Sequence, residues 1–196
     1  DTITDESFAI ADGLGDRLLM VTDQDAPNRQ LVLIDPKNPA ADQWQTIIPE
    51  QPEPLEGVSF VGGKLFATYL KDVTTRVYVY RPEGTLEREI TLPGLGTVNG
   101  FDGQADDDFT FYIFTSHTTP PTIYRYDIAT GASTIFRAPA IAFEAGDYET
   151  RQVFYPSSDG TQIPMFLIHQ KGLKFSGATP TYLYAYGGFN YSLVPA

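Results

Sequence analysis

The chain has 196 residues and a formal net charge of −12, so it would be repelled by a phosphate backbone or an anionic lipid surface, and nucleic-acid and membrane-surface roles are set aside. It contains no cysteine, which removes a disulfide framework, a thiol nucleophile and cysteine-based zinc sites. Hydrophobic content of 42% with 12 Tyr and 13 Phe argues for a packed core built of sheet, and no run approaches the ~18 apolar residues of a membrane helix.

In chain order, the first feature is a repeat. The runs Leu31–Asp35, Val77–Arg81 and Ile123–Asp127 end at 35, 81 and 127, a constant step of 46 residues. Ahead of each lies a more apolar run: Leu18–Thr22, Leu65–Tyr69 and Phe111–Thr115. After each come a turn and a weaker alternating run: Trp44–Ile48, Leu86–Ile90 and Ser133–Phe136. Phe8–Ile10, Val58–Phe60 and Val98–Phe101 complete the units. Each unit thus predicts four short antiparallel strands joined by Gly, Pro, Asn and Asp turns, with the second and third most apolar and the fourth most polar, which is the pattern of a propeller blade. A β-sandwich with evenly spaced hairpins is the rival, disfavoured because sandwich strands rarely return at one step through three cycles.

Propellers close with four to eight blades. Three blades, over about 5–50, 51–95 and 96–140, form an open arc whose apolar faces near residues 5–22 and 97–137 are expected to be bare. Such faces predict self-association unless further blades cover them, so the chain reads as a piece of a larger protein.

Residues 138–147 have no period and read as a hinge. Beyond it, Thr150–Tyr155 and Ile163–His169 flank the hairpin turn Ser157–Gly160. Tyr182–Tyr186 is a chargeless apolar run, which predicts a strand covered on both faces. It stops at Gly187-Gly188, the kind of turn at a strand's carboxyl end where open α/β sheets place their sites.

This last segment, Tyr-Leu-Tyr-Ala-Tyr-Gly-Gly-Phe over residues 182–189, together with Asp147-Tyr148 and Phe154–Phe166, resembles the prolyl oligopeptidase family of serine peptidases. The resemblance is dense over the last fifty residues or so and looser before them. It implies an all-β-dominated chain: a partial β-propeller over residues 1–140, then a hinge and the first strands of an α/β-hydrolase domain over 141–196. In the family pattern the tyrosine before the glycine pair donates its hydroxyl to the oxyanion of the tetrahedral intermediate, and the phenylalanine after it lines the proline pocket. On this sequence these are Tyr186 and Phe189, with Gly187 and Gly188 forming the turn between them. Ala185 stands where glycine is common. The implied parent enzyme hydrolyses short peptides on the carboxyl side of proline, with the propeller restricting access and no metal or organic cofactor required. Its other partner is the remainder of the same polypeptide.

No Gly-x-Ser-x-Gly elbow occurs in the chain. The nucleophile, acid and histidine are therefore expected beyond Ala196, and these 196 residues are expected to be inactive alone. Two other classes fit the pattern less fully: a free-standing propeller or sandwich binding module, and an esterase or acylaminoacyl hydrolase of the same two-domain plan. His117 and His169 lack a second ligand at metal spacing and read as ordinary polar residues. Asp106–Asp108 lacks the alternating donors of a calcium loop and reads as a solvated turn. Asp12-Gly-Leu-Gly-Asp16 reads as a hairpin.

Overall fold

The computed structural model describes residues 6–142 and 144–196; Asp1–Asp5, at the start of the first predicted blade, and Phe143, in the predicted hinge, lie outside the described residues. The first four-stranded sheet comprises β1 (Phe8–Leu14), β2 (Arg17–Thr22), β3 (Gln30–Ile34) and β4 (Gln45–Ile48). The second comprises β5 (Leu55–Val61), β6 (Lys64–Lys71), β7 (Thr74–Tyr80) and β8 (Leu86–Glu89). The third comprises β9 (Thr97–Asp102), β10 (Phe109–Ser116), β11 (Thr119–Asp127) and β12 (Ser133–Arg137). A fourth sheet is the two-stranded hairpin β13 (Tyr148–Pro156) and β14 (Gln162–Gln170). The described sheets therefore number four, all antiparallel, where the blade count by itself gives three.

The repeat extends to the register. In every four-stranded sheet the ladder between the first and second strands shifts once, at Ile10/Asp12, Leu55/Gly57 and Phe111/Tyr112. The ladder between the third and fourth strands shifts once as well, at Leu31/Val32, Val79/Tyr80 and Ile123/Tyr124. Such irregularities bend a strand and raise its right-handed twist, which is how the blades come to have one shape.

Alternation along β6 explains why the middle sheet is apolar on both faces. Leu65, Ala67 and Tyr69 point toward the first sheet and pack with Leu19, Val21, Leu31, Leu33 and Ile48. Phe66 points the other way, joining Val77, Val79, Val98, Tyr112, Phe114 and Tyr126. There Phe101 is stacked between Phe66 and Tyr112, with ring centres 5.0 Å from each. Each fully buried side chain of this size contributes about 1.5 to 3 kcal/mol, so two such layers hold three sheets in series.

The second interface closes tightly at one point. Gly62 has φ +55, and a Cβ there would lie 2.3 Å from the Ile128 side chain and 2.5 Å from the Asp107 carbonyl. Only glycine lets the two blades approach this closely.

The bare end faces expected of an open arc are present in part. Phe8 and Ile10 are exposed at one end, and Ile113, Ile135 and Phe136 at the other. Elsewhere on these sheets Met20, Val32 and Ile34 gather with Trp44, and the Arg125 guanidinium lies 4.1 Å from the Phe109 ring centre.

One expectation is overturned. Tyr182–Tyr186 is not a buried strand: no regular structure is assigned from Thr181 to Gly187, and Tyr182 and Leu183 are 86% and 78% exposed. A strand exists only where a neighbour takes up its N–H and C=O groups, and among the described residues nothing pairs with this segment. Of the three strands expected after residue 147, only the two of the β13–β14 hairpin are formed as sheet among the described residues. Among the described residues of the predicted hinge there is a short 3-10 turn, Ala145–Asp147.

Candidate functional site

The turns β2–β3, β6–β7 and β10–β11 lie at one end of the three sheets, and residues of the β13–β14 hairpin and Pro195 dock there. Gln152 Nε2 of β13 donates to the carbonyl of Asp72 at 2.5 Å. The His117 ring sits edge-on to Phe166 of β14, with centres 5.2 Å apart, and burial lowers the imidazole's pKa from its ordinary value. Thr97 Oγ1, at the start of β9, donates to the carbonyl of Pro195 at 2.6 Å. These three contacts tie the hairpin and Pro195 to the same end of the sheets.

Within the segment Gly187 has φ −145 and ψ 18, and Phe189 has φ 56 and ψ 34. A phenylalanine in the left-handed region is uncommon, and its side chain is 98% exposed. Tyr191 N–H donates to the Gly188 carbonyl at 3.1 Å, closing a short turn. This folds Tyr191 back against Tyr186, with ring centres 6.1 Å apart. A Cβ on Gly188 would lie 2.7 Å from the Tyr186 hydroxyl, so the second glycine leaves room for the phenol to lie over the turn. The structure thus brings Tyr186, Gly188 and Tyr191 together and leaves Phe189 projecting alone into solvent. Thr97, Pro195 and Tyr191 carry no motif that singles them out in the sequence.

His169 lies on β14 itself, whereas His117 is in the β10–β11 turn. His169 Nδ1 lies 3.5 Å from Glu149 Oε1 and its ring meets Phe175 edge-on, with centres 4.9 Å apart. Asp107 Oδ2 accepts the Gln104 N–H at 2.7 Å within the acidic turn. Among the described residues no group of three His, Asp or Glu side chains could hold a metal ion.

At the opposite end of the strands, a groove of about 730 Å³ between the second and third sheets is lined by Lys64, Arg81, Glu87, Arg88 and Asp107 among others. Glu87 accepts from Lys64 Nζ at 2.6 Å and Arg81 Nε at 2.8 Å, which holds its carboxyl below the usual range. The groove is a charged seam between the two sheets, and Tyr186 is not among its lining residues.

Residues 3–139 match the family model described as the N-terminal β-propeller domain of prolyl oligopeptidase. The chain belongs to the prolyl oligopeptidase family. The three four-stranded sheets lie within the matched residues, and the β13–β14 hairpin lies beyond them. Prolyl endopeptidase of Elizabethkingia meningoseptica is 47% identical over 192 residues, covering 98% of this chain and 27% of that protein. Prolyl endopeptidase of Dictyostelium discoideum is 34% identical over 184 residues, covering 88% of this chain and 24% of the relative. Among solved structures, a prolyl endopeptidase at 37% identity superposes with a TM-score of 0.81, over 89% of this chain and 26% of the other. Apo prolyl oligopeptidase B of Galerina marginata gives 0.84 at 27% identity, over 100% of this chain and 28% of the other. The chain therefore spans about a quarter of the length of the prolyl oligopeptidases it matches.

Proposed function

We propose that the whole polypeptide is a serine endopeptidase hydrolysing short peptides on the carboxyl side of proline. In this reading residues 1–140 are three blades of a propeller that restricts access to the site, and residues 141–196 are the hinge and the beginning of an α/β-hydrolase domain. The carrying observation is that similarity to a prolyl endopeptidase, 47% identical, runs over 98% of the chain and so includes the Tyr-Gly-Gly-Phe segment as well as the sheets. A related prolyl oligopeptidase B has been solved with a 25mer macrocyclization substrate bound, in keeping with a peptide as the ligand.

Tyr186 is the proposed oxyanion donor. A phenol hydroxyl is a hydrogen-bond donor, and here it lies over Gly188. Phe189 is the proposed wall of the proline pocket, with Gly187 and Gly188 shaping the approach. The nucleophile, acid and base come from other parts of the polypeptide, and no metal or organic cofactor enters the reaction.

The test is turnover of a proline-containing peptide by the full-length protein and by its Tyr186→Phe variant. kcat should fall about a hundredfold to a thousandfold with KM little changed, because the hydroxyl acts on charge that develops in the transition state. An unchanged kcat removes Tyr186 from the mechanism.

A further inference from the structure

We propose that Thr97, on the first strand of the third blade, is a positioning residue for the Tyr186 turn. This rests on the reading of Tyr186 as the oxyanion donor and identifies what holds that turn against the propeller. Thr97 Oγ1 donates to the Pro195 carbonyl at 2.6 Å across a sequence separation of 98 residues. Pro195 is buried, Leu193 and Val194 are half-buried, and the residues on the far side of the Tyr186 turn are exposed. Among the described residues, the turn is therefore tethered on its C-terminal side, at Pro195. From that anchor the chain runs back four residues to Tyr191, whose ring packs on Tyr186 and whose N–H closes the turn on Gly188.

The platform under Thr97 is stiff. Its backbone pairs with Thr115 of β10, while the flanking residues are tied to the second blade: Thr75 N–H donates to the Gly96 carbonyl at 3.0 Å, and Val98 N–H donates to Thr75 Oγ1 at 3.1 Å. One hydroxyl thus joins a point fixed to two blades with the segment that orients the phenol. A donor must sit within a few tenths of an ångström of its working position to be effective, and a hydrogen bond from a rigid strand supplies that restraint where the turn's own contacts do not.

The experiment uses the full-length polypeptide and compares Thr97→Val, Thr97→Ala and Thr97→Ser with Tyr186→Phe in turnover of a proline-containing peptide. Losing one hydrogen bond that acts on the transition state corresponds to about a fivefold fall in kcat. Thr97→Val and Thr97→Ala should show that fall with KM little changed, and Thr97→Ser, which keeps the hydroxyl, should restore turnover. In the Tyr186→Phe background Thr97→Ala should produce no further loss, since there is no hydroxyl left to position.

Wild-type kcat in both Thr97→Val and Thr97→Ala overturns the proposal, as does an equal loss in Thr97→Ser or a fully additive loss in the double variant. If Thr97→Val does not fold, the alanine and serine variants carry the same comparison. The underlying reading is judged separately: a normal kcat in Tyr186→Phe sinks the oxyanion assignment, whereas a large loss there with no effect at Thr97 sinks only the positioning role.

Discussion

Arg88 of β8 reaches across the second interface to Tyr126 of β11: its Nε donates to the tyrosine hydroxyl at 3.1 Å while its Nη2 donates to the Ile128 carbonyl at 2.5 Å. Tyr126 is fully buried, so this guanidinium is what satisfies its hydroxyl between the sheets. Arg88→Met keeps much of the packing and removes both donors. It should destabilise the chain by about 2 kcal/mol in chemical unfolding, because a buried polar group left unpaired costs about 1 to 3 kcal/mol. Adding Tyr126→Phe should cost less than its effect alone, and full additivity would mean that the two side chains do not support each other.

The β6–β7 turn carries local strain. Asp72 has φ 48 and Val73 has φ 57, a pair of left-handed residues in which the second is β-branched. Such two-residue turns favour Asp-Gly, and an L-residue in this region costs roughly 1 to 2 kcal/mol. Val73→Gly should therefore raise the unfolding midpoint, by about 0.5 to 1 kcal/mol after the added flexibility of the unfolded chain is counted. Val73→Ala retains the Cβ and should gain little. A loss of stability in the glycine variant would show that the valine side chain's contacts outweigh the strain.

Glu87 gives a dependence on acid. Its carboxyl is held below the ordinary 4.5, first by the hydrogen bond from Lys64 and then by that from Arg81. With the folded pKa below the unfolded one, the unfolded chain binds more protons in the window between them, so stability rises with pH there. The contribution is complete above about 4.5 and is lost as pH falls through the folded value. Glu87→Gln should flatten the acid limb of a stability–pH curve and lower stability near neutral pH by about 1 kcal/mol, a small figure because the trio is partly solvated. Parallel curves for the two proteins between pH 3 and 7 would mean the ion trio does not contribute to folding.

The blades are legible in the sequence because their information is local. Alternation along runs such as Val77–Arg81, turn residues between them and the return at Asp35, Arg81 and Asp127 are visible without knowing what packs on what. The β13–β14 hairpin is legible for the same reason, since Ser157–Gly160 carries turn chemistry between two apolar runs. Tyr182–Tyr186 misleads because composition reports what a segment would bury given a neighbour, not whether one pairs with it. The bond from Thr97 to Pro195 is invisible for a different reason. Two unremarkable residues meet only after three sheets have stacked and the chain has returned to them, and no local pattern encodes that meeting.

Phe189 separates structure from function most sharply. In this chain its side chain is 98% exposed, so Phe189→Ala should leave unfolding within about 0.5 kcal/mol of wild type. In the full-length polypeptide the same ring is proposed to meet the substrate's proline. Burying a phenylalanine is worth about 1.5 to 3 kcal/mol, and so its loss should raise KM for a proline-containing peptide by roughly tenfold or more. A peptide with alanine in place of that proline gains less from the pocket, so its KM should change less and the preference for proline should narrow. Unfolding of the chain and steady-state kinetics on the two peptides form one comparison. If KM for both peptides rises by the same factor, Phe189 contributes general contact area and the proline pocket must be built from other residues.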